Sequence, residues 1–298
     1  MTATLLVGAL AAALAQQTDT TFTVRPDARV EIETFGGEIN VGTWGRNAIR
    51  VQATHGRRDV IAINTRAGSV TIEAEGRMGP ATNVVMQITV PTSVSVSASA
   101  VFADITVAGV TGDVDAETVQ GSIHVVGGRR LKLESVEGEI VVDKASGRVS
   151  ANTVNRGIRI TNTSGDIAAE TVNGPIIMHG VQALHVDAAT VNGRIVYDGT
   201  LRDGGDYSIA SHNGGIWVVV PERAGATVSV STFNGKLDSS LPVTIRETSN
   251  KRRYDFTIGS GKARLNLESF GGDIHLRRPG ESLPTQQDAH RTKAKVKN

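Results

Sequence analysis

Apolar and polar residues alternate in short runs along most of this chain, and the alternation restarts at nearly even intervals. One set of positions reads Val114/Ala116/Thr118, Leu131/Leu133/Ser135, Val149/Ala151/Thr153, Ile167/Ala169/Thr171 and Val186/Ala188/Thr190. It continues through Ile209/Ser211, Val228/Val230/Thr232 and Leu265/Leu267/Ser269. The interleaved set is mostly polar, with Asp115/Glu117, Lys132/Glu134, Ser150/Asn152, Ala168/Glu170 and Asn266/Glu268. A period of two with one polar face predicts half-buried strands. After each run comes a corner, and then a second short run whose inward positions are again Ile and Val. Examples are Ile123-His124-Val125, Ile140-Val141-Val142 and Ile195-Val196-Tyr197.

The corner is a Ser/Thr, then Val or Phe, then Asn-Gly, with close variants. Its fourth position falls at Gly121, Gly138, Arg156, Gly174, Gly193, Gly214, Gly235 and Gly272. The steps are 17, 18, 18, 19, 21, 21 and 37, the last near two periods. A fixed short period means stacked copies of one unit. Asn-Gly is also a hairpin turn, which would make an antiparallel meander. Against that, the same corner returns once per period, and a second glycine turn often follows about half a period away, at Gly112, Gly147 and Gly165. The expected fold is therefore all-β: a single-stranded parallel β-helix, or β-solenoid, with coils of about 18 residues.

The ends differ from the middle. Residues 42–100 hold strands without the corner, yet Thr34-Phe35-Gly36-Gly37-Glu38-Ile39 mirrors Ser269-Phe270-Gly271-Gly272-Asp273-Ile274. Atypical capping strands are expected at both ends, because an open coil edge invites aggregation. The organisation expected is a signal peptide over 1–15, a cap and first strands over 16–100, solenoid repeats over 101–278, and a disordered basic tail over 279–298. Within the repeats, 241–263 with Pro242 and Lys251-Arg252-Arg253 reads as an excursion or hairpin. The leader assignment rests on the apolar run TLLVGALAAALA ending Ala13-Leu14-Ala15, although it lacks basic residues in front. It predicts export to the periplasm, the outer surface or the medium, with no integral membrane span in the mature chain.

Composition narrows the chemistry. Aromatics are only 4% and glycines number 33, which suits a thin stack filled with Val, Ile and Ala. Formal net charge is +1, so the chain as a whole carries no nucleic-acid footprint. There is no cysteine, which removes disulfides, thiolate catalysis and cysteine-based zinc sites.

The T-V-N-G corners and their variants at 118–123, 171–176 and 190–195 resemble bacterial β-strand-repeat domains of unknown function that carry an adhesin label, relatives of autotransporter-adhesin heads. The resemblance spans about residues 30–277. It implies export and a β-helical or β-roll-like domain. The adhesin label is itself inferred from shape, so the resemblance speaks more to fold than to function.

The regular corner residues are assigned to structure. Thr118, Ser135, Thr153, Thr171, Thr190, Ser211, Thr232 and Ser269 form one expected ladder, and Asn155, Asn173, Asn192, Asn213 and Asn234 a second. The Val or Phe between them would make an outward apolar stripe if alternation were strict; the preferred reading twists the chain and takes it inside. Possible surface contacts are Glu117 and Glu134, in one outward column on adjacent coils, and Trp217. No nucleophile elbow, phosphate loop or zinc-type histidine spacing is present, so no catalytic, cofactor-binding or metal residue is assigned. The leading expectation is a non-enzymatic envelope binding or scaffold protein whose partner is an envelope protein or polysaccharide. The alternative is a carbohydrate-active β-helix enzyme, a polysaccharide lyase or hydrolase, using outward acids such as Glu117, Glu134 and Asp143.

Overall fold

The computed structural model describes residues 16–66, 68–242, 246–247 and 252–283. The expected leader, and the tail beyond 283, lie outside the described residues. Every regular element among the described residues is a strand, and no helix there is long and apolar enough to cross a membrane.

The alternating runs form parallel strands in register, coil upon coil. Arg130–Ser135 lies between Val114–Thr118 and Arg148–Thr153, so that Ser135 faces Thr118 on one side and Thr153 on the other. Past the corner, Ile140–Asp143 lies between Ile123–Val126 and Ile158–Thr161 in the same way. The two faces, one before and one after the corner, thus belong to a parallel β-solenoid and not to an antiparallel meander. A third side is short, with Ser146, Ser164 and Gln182 joined by isolated parallel bridges. It is entered through a corner that needs a left-handed backbone, at Gly109, Gly127, Lys144, Asn162 and Gly180, with φ of 83°, 92°, 56°, 49° and 64°.

The inward residues of all sides meet in one continuous core. Ile123, Leu133, Ile140, Val149, Ile160 and Ile176 are essentially inaccessible. Near the C-terminal end the core widens to take Tyr197 and Tyr207, whose rings meet edge to face at 5.7 Å. The Tyr197 hydroxyl donates to the Thr200 carbonyl at 2.7 Å. The Tyr207 hydroxyl donates to the Ala183 carbonyl and accepts the Arg202 amide, both at 2.8 Å. Burial pushes both phenols up, Tyr197 the further.

The coils do not stack in chain order at either end. Ala263–Ser269 pairs with Asp206–Ser211 on one side and with Ala226–Thr232 on the other. The last coil in sequence is therefore inserted before the one that precedes it, and the 37-residue step spans this reversal. The first end mirrors it. The long strand Arg29–Trp44 runs across both faces, between Ser95–Ala108 and the pair Ser69–Gly76 and Val84–Pro91.

Antiparallel strands then cover the open edges. Ala48–His55 and Gln16–Thr23 add to Val84–Pro91 in turn, and Asp59–Arg66 adds to Ser69–Gly76. At the other end Arg253–Ile258 covers Ala226–Thr232, with Arg246–Glu247 beside it, which is the hairpin expected in 241–263. Such caps end the row of unpaired amides and carbonyls that a parallel coil would otherwise present.

Candidate functional site

The corner column is built from three kinds of residue with different surroundings. The Ser/Thr side chains point inward and are buried, from Thr118 through Ser269. Their hydroxyls donate to the backbone of the preceding coil: Thr118 to Ala103 at 3.0 Å, Thr153 to Gly138 at 2.9 Å, Thr171 to Arg156 at 2.8 Å and Ser211 to Gly193 at 2.8 Å. Ser135 and Ser269 also accept the amide of the glycine three residues on, at 2.9 Å each. The corner glycines allow the close approach: a Cβ on Gly193 would stand 1.8 Å from the Gly174 carbonyl oxygen.

The asparagines are exposed and bond to each other along the rod. Asn173 donates to Asn155 at 3.0 Å, Asn192 to Asn173 at 2.9 Å and Asn213 to Asn192 at 2.9 Å. Asn234 stands apart from this chain of amides. The inserted last coil puts Gly271 between it and Asn213, so the reversal of coil order breaks the column.

The residue between them points out, contrary to the inward turn preferred on sequence grounds. Val119, Val136, Val154, Val172, Val191, Phe270 and Phe233 are 37% to 46% exposed. Strict alternation holds through the corner because the inward site is already taken by the bonded Ser/Thr. The stripe is continuous from coil to coil, and His212 takes its place between Val191 and Phe270. Toward the C-terminal end it becomes a stack of flat rings, with His212 on Phe270 and Phe270 on Phe233 at 4.8 Å each. The Arg252 guanidinium closes it, 3.7 Å above the Phe233 ring. At the opposite end Phe35 packs edge-on against Phe102 at 5.4 Å.

Beside the stripe, on the face before the corner, runs a groove. One part of it is a trough of about 530 Å³ along the column Asn152, Glu170, Ala189, Ala210 and Glu268, with Val172, Val191, His212 and Phe270 along one wall. A smaller stretch of about 250 Å³ continues past Glu117, Glu134, Val119 and Val136.

Glu117 and Glu134 are thus neighbours in register beside the stripe. Glu134 is paired with Lys132 at 3.2 Å; that bond and the nearby Asp115 hold the lysine's pKa above its ordinary value. Trp217 is not part of this surface. It lies on the face after the corner, stacked on His275 at 4.7 Å. His275 and Arg277 there share the Asp238 carboxylate, at 3.2 and 2.6 Å, and these two bonds hold its pKa down, Arg277 the more strongly.

Asp143 also lies on the face after the corner, where its carboxylate accepts the Thr161 hydroxyl at 2.8 Å and the Asn162 amide at 3.0 Å. The three acids named for a hydrolase or lyase are therefore not gathered at one place. Among the described residues no three His, Asp or Glu side chains are grouped to hold a metal ion.

A stack of parallel coils with in-register corner ladders defines a repeat protein of the β-solenoid class. The chain belongs to the Toastrack DUF4097 family, whose model matches residues 8–277. No curated protein matches it. Among solved structures it is similar to a "putative adhesin" from Parabacteroides merdae, at 10% identity and a TM-score of 0.47 over 88% of this chain and 96% of that one. It is also similar to a "putative adhesin" from Bacteroides fragilis, at 12% identity and a TM-score of 0.42 over 88% and 97%.

Sequence reasoning did not single out the trough. Glu268 and Glu170 are far apart in the chain and meet along one column only through the inserted coil. The available signal was the shared polar position just before each corner Ser/Thr, where Ala189 and Ala210 interrupt the acids.

Proposed function

We propose that this chain is an exported, non-enzymatic β-solenoid that acts as an adhesin-like binding or scaffold protein of the cell envelope. The observation that carries the reading is the exposed stripe from Val119 to Phe233. A long, contiguous apolar surface is costly to leave in water and marks a contact site. Repetition at every coil suits many weak contacts with a polymer or an extended protein partner, where avidity replaces a deep pocket. The apolar leader-like run supports export. The carbohydrate-enzyme alternative draws no support from the separated positions of Glu117, Glu134 and Asp143.

The test is retention of the chain on envelope fractions and on isolated envelope polysaccharides, with a turnover assay on the same glycans. The triple substitution Val154→Ser, Val172→Ser, Val191→Ser changes only exposed side chains. It is expected to lower retention at least tenfold (about 1.4 kcal/mol) with the melting temperature little changed. Equal retention would remove the stripe from the reading. Glycan cleavage that vanishes with Glu117→Gln would replace the reading with the enzyme.

A further inference from the structure

The face before the corner carries its charge unevenly. The chain as a whole is +1, but the two outward columns nearest the stripe hold Asp115, Glu117, Glu134, Glu170, Asp187 and Glu268. From the coil of Val114–Thr118 to that of Ala263–Ser269, Lys132 is the one cation in these columns, and Glu134 already engages it at 3.2 Å. The arginines on the far edge of the face do not offset the acids. Arg130, Arg148 and Arg264 are paired there with Asp113, Asp166 and Asp206.

Acidic and apolar rows run side by side along the rod. Glu170 and Val172 both point out with buried Thr171 between them, so the rows are roughly 7 Å apart. Glu268 and Phe270 repeat the arrangement on the inserted coil. Three coil steps of ~4.8 Å put Glu170 and Glu268 roughly 14 Å from each other. Neither makes an ion pair with a described residue, unlike Glu134 with Lys132.

This pair of rows selects among partners. An anionic polymer or lipid surface meets like charge. A neutral sugar chain needs open ring faces to lie on, and here they are covered. Phe270 is stacked between His212 and Phe233, and Arg252 covers Phe233 in turn. An extended polypeptide set edge-on in the trough sends alternate side chains to opposite flanks. With cations on one flank and aliphatic groups on the other, it meets the carboxylates and the valines together. Cations four residues apart in such a chain are roughly 13 Å from each other, close to the spacing of Glu170 and Glu268.

We propose that the trough and the stripe beside it bind an extended basic segment of another protein. Its cations lie on Glu170 and Glu268, and its aliphatic side chains on Val172 and Val191. The proposal rests on the stripe being a contact surface, and it narrows the partner to a polypeptide of opposite charge.

The test is fluorescence anisotropy of a labelled eight-residue peptide of alternating lysine and valine, titrated with the full chain. Peptides with glutamate for the lysines, or serine for the valines, are expected to bind at least about tenfold more weakly. A glucosamine oligomer, cationic but a sugar, should compete poorly. E170Q/E268Q alters two exposed side chains. It is expected to weaken binding about fivefold and to lessen the loss of binding in 0.5 M salt, which screens exposed ion pairs. V154S/V172S/V191S should weaken binding at least about tenfold, with the melting temperatures of both variants little changed. Unchanged binding by E170Q/E268Q, alongside a loss in the valine variant, overturns the basic partner and leaves the stripe. Unchanged binding by the valine variant overturns the stripe reading and this proposal with it. No binding of the lysine–valine peptide, or equal binding of its glutamate counterpart, also overturns the proposal. Competition by the glucosamine oligomer as strong as that by unlabelled peptide overturns it in favour of a cationic sugar polymer.

Discussion

Phe233 stacks on Phe270 with ring centroids 4.8 Å apart and planes within 4°, although Phe270 is the later residue and lies in the coil nearer the middle of the rod. Phe270 touches rings on both sides, since His212 stacks on its other face at 4.8 Å. The inserted last coil is thus clasped at its corner by side chains of the coils it separates. Phe270→Ala removes two ring contacts at a half-exposed site and is expected to cost about 1–2 kcal/mol. Phe233→Ala removes one ring contact and should cost less. Urea unfolding of the two variants checks the order; an equal or reversed effect would mean the stack does not hold the inserted coil.

The buried hydroxyls and exposed amides of the corner differ in what their loss leaves behind. Thr171→Val keeps the shape but leaves the Arg156 carbonyl without its 2.8 Å donor, at an expected cost of about 1–2 kcal/mol. Asn173→Ala cuts bonds to Asn155 and Asn192, but water replaces them at an exposed position, and the cost should stay near 0.5 kcal/mol. Equilibrium denaturation is expected to rank Thr171 above Asn173.

The strands, the parallel stacking and the inward Ser/Thr column were legible because each follows from local alternation and a short period. The coil order was not. Parallel corners have the same sequence whichever neighbour they meet, so nothing local says that 263–277 lies between 206–219 and 226–239. The same ambiguity placed Asn234 in a ladder that Gly271 interrupts. The direction of the corner valines was misread because their inward place is already filled by the Ser/Thr side chains, whose hydroxyls bond to the preceding coil. The trough stayed hidden for the first reason: its two acids share a column only through the reversed order.

Close backbone approach at the corner gives a sharp prediction. Gly193→Ala would put a methyl group 1.8 Å from the Gly174 carbonyl oxygen, which forces the two coils apart. A loss of about 3 kcal/mol or more is expected, in the range of other backbone-displacing overpacking. A methyl group on Gly45, by contrast, would meet nothing within 4 Å, and Gly45→Ala should be neutral or stabilise by up to about 1 kcal/mol through the unfolded chain. Thermal melts of the two variants separate the effects directly.

Acid should weaken the second corner through Asp143. The Asn162 amide, and next the Thr161 hydroxyl, hold this carboxyl's pKa below its ordinary value. A carboxyl depressed in the folded state contributes stability that is fully present above the unfolded value of about 3.9 and is lost as pH falls through the folded one. Asp143→Asn does not titrate there. It is expected to be the less stable protein at pH 7, with the gap closing as pH falls below the unfolded value of about 3.9. Stability curves that stay parallel down to pH 2 would show that the carboxylate's charge does not matter to the fold.

The two buried tyrosines make a matched pair of tests for hydroxyl bonding within one core. Tyr197 donates once, to the Thr200 carbonyl at 2.7 Å. Tyr207 donates to Ala183 and also accepts from Arg202, at 2.8 Å each. Removing either oxygen leaves the ring contact at 5.7 Å in place, so packing changes little. Tyr197→Phe leaves one carbonyl unpaired and should cost about 1–2 kcal/mol; Tyr207→Phe leaves a carbonyl and an amide unpaired and should cost about 2–3 kcal/mol. Because each loss falls on different backbone groups, the double variant should approach the sum, apart from a few tenths of a kcal/mol for the rings in contact. Chemical denaturation of the three variants measures this. A double variant no worse than Tyr207→Phe alone would mean that the two hydroxyls act as one unit, and that the loop at 200–202 already opens when the Tyr207 bonds are lost.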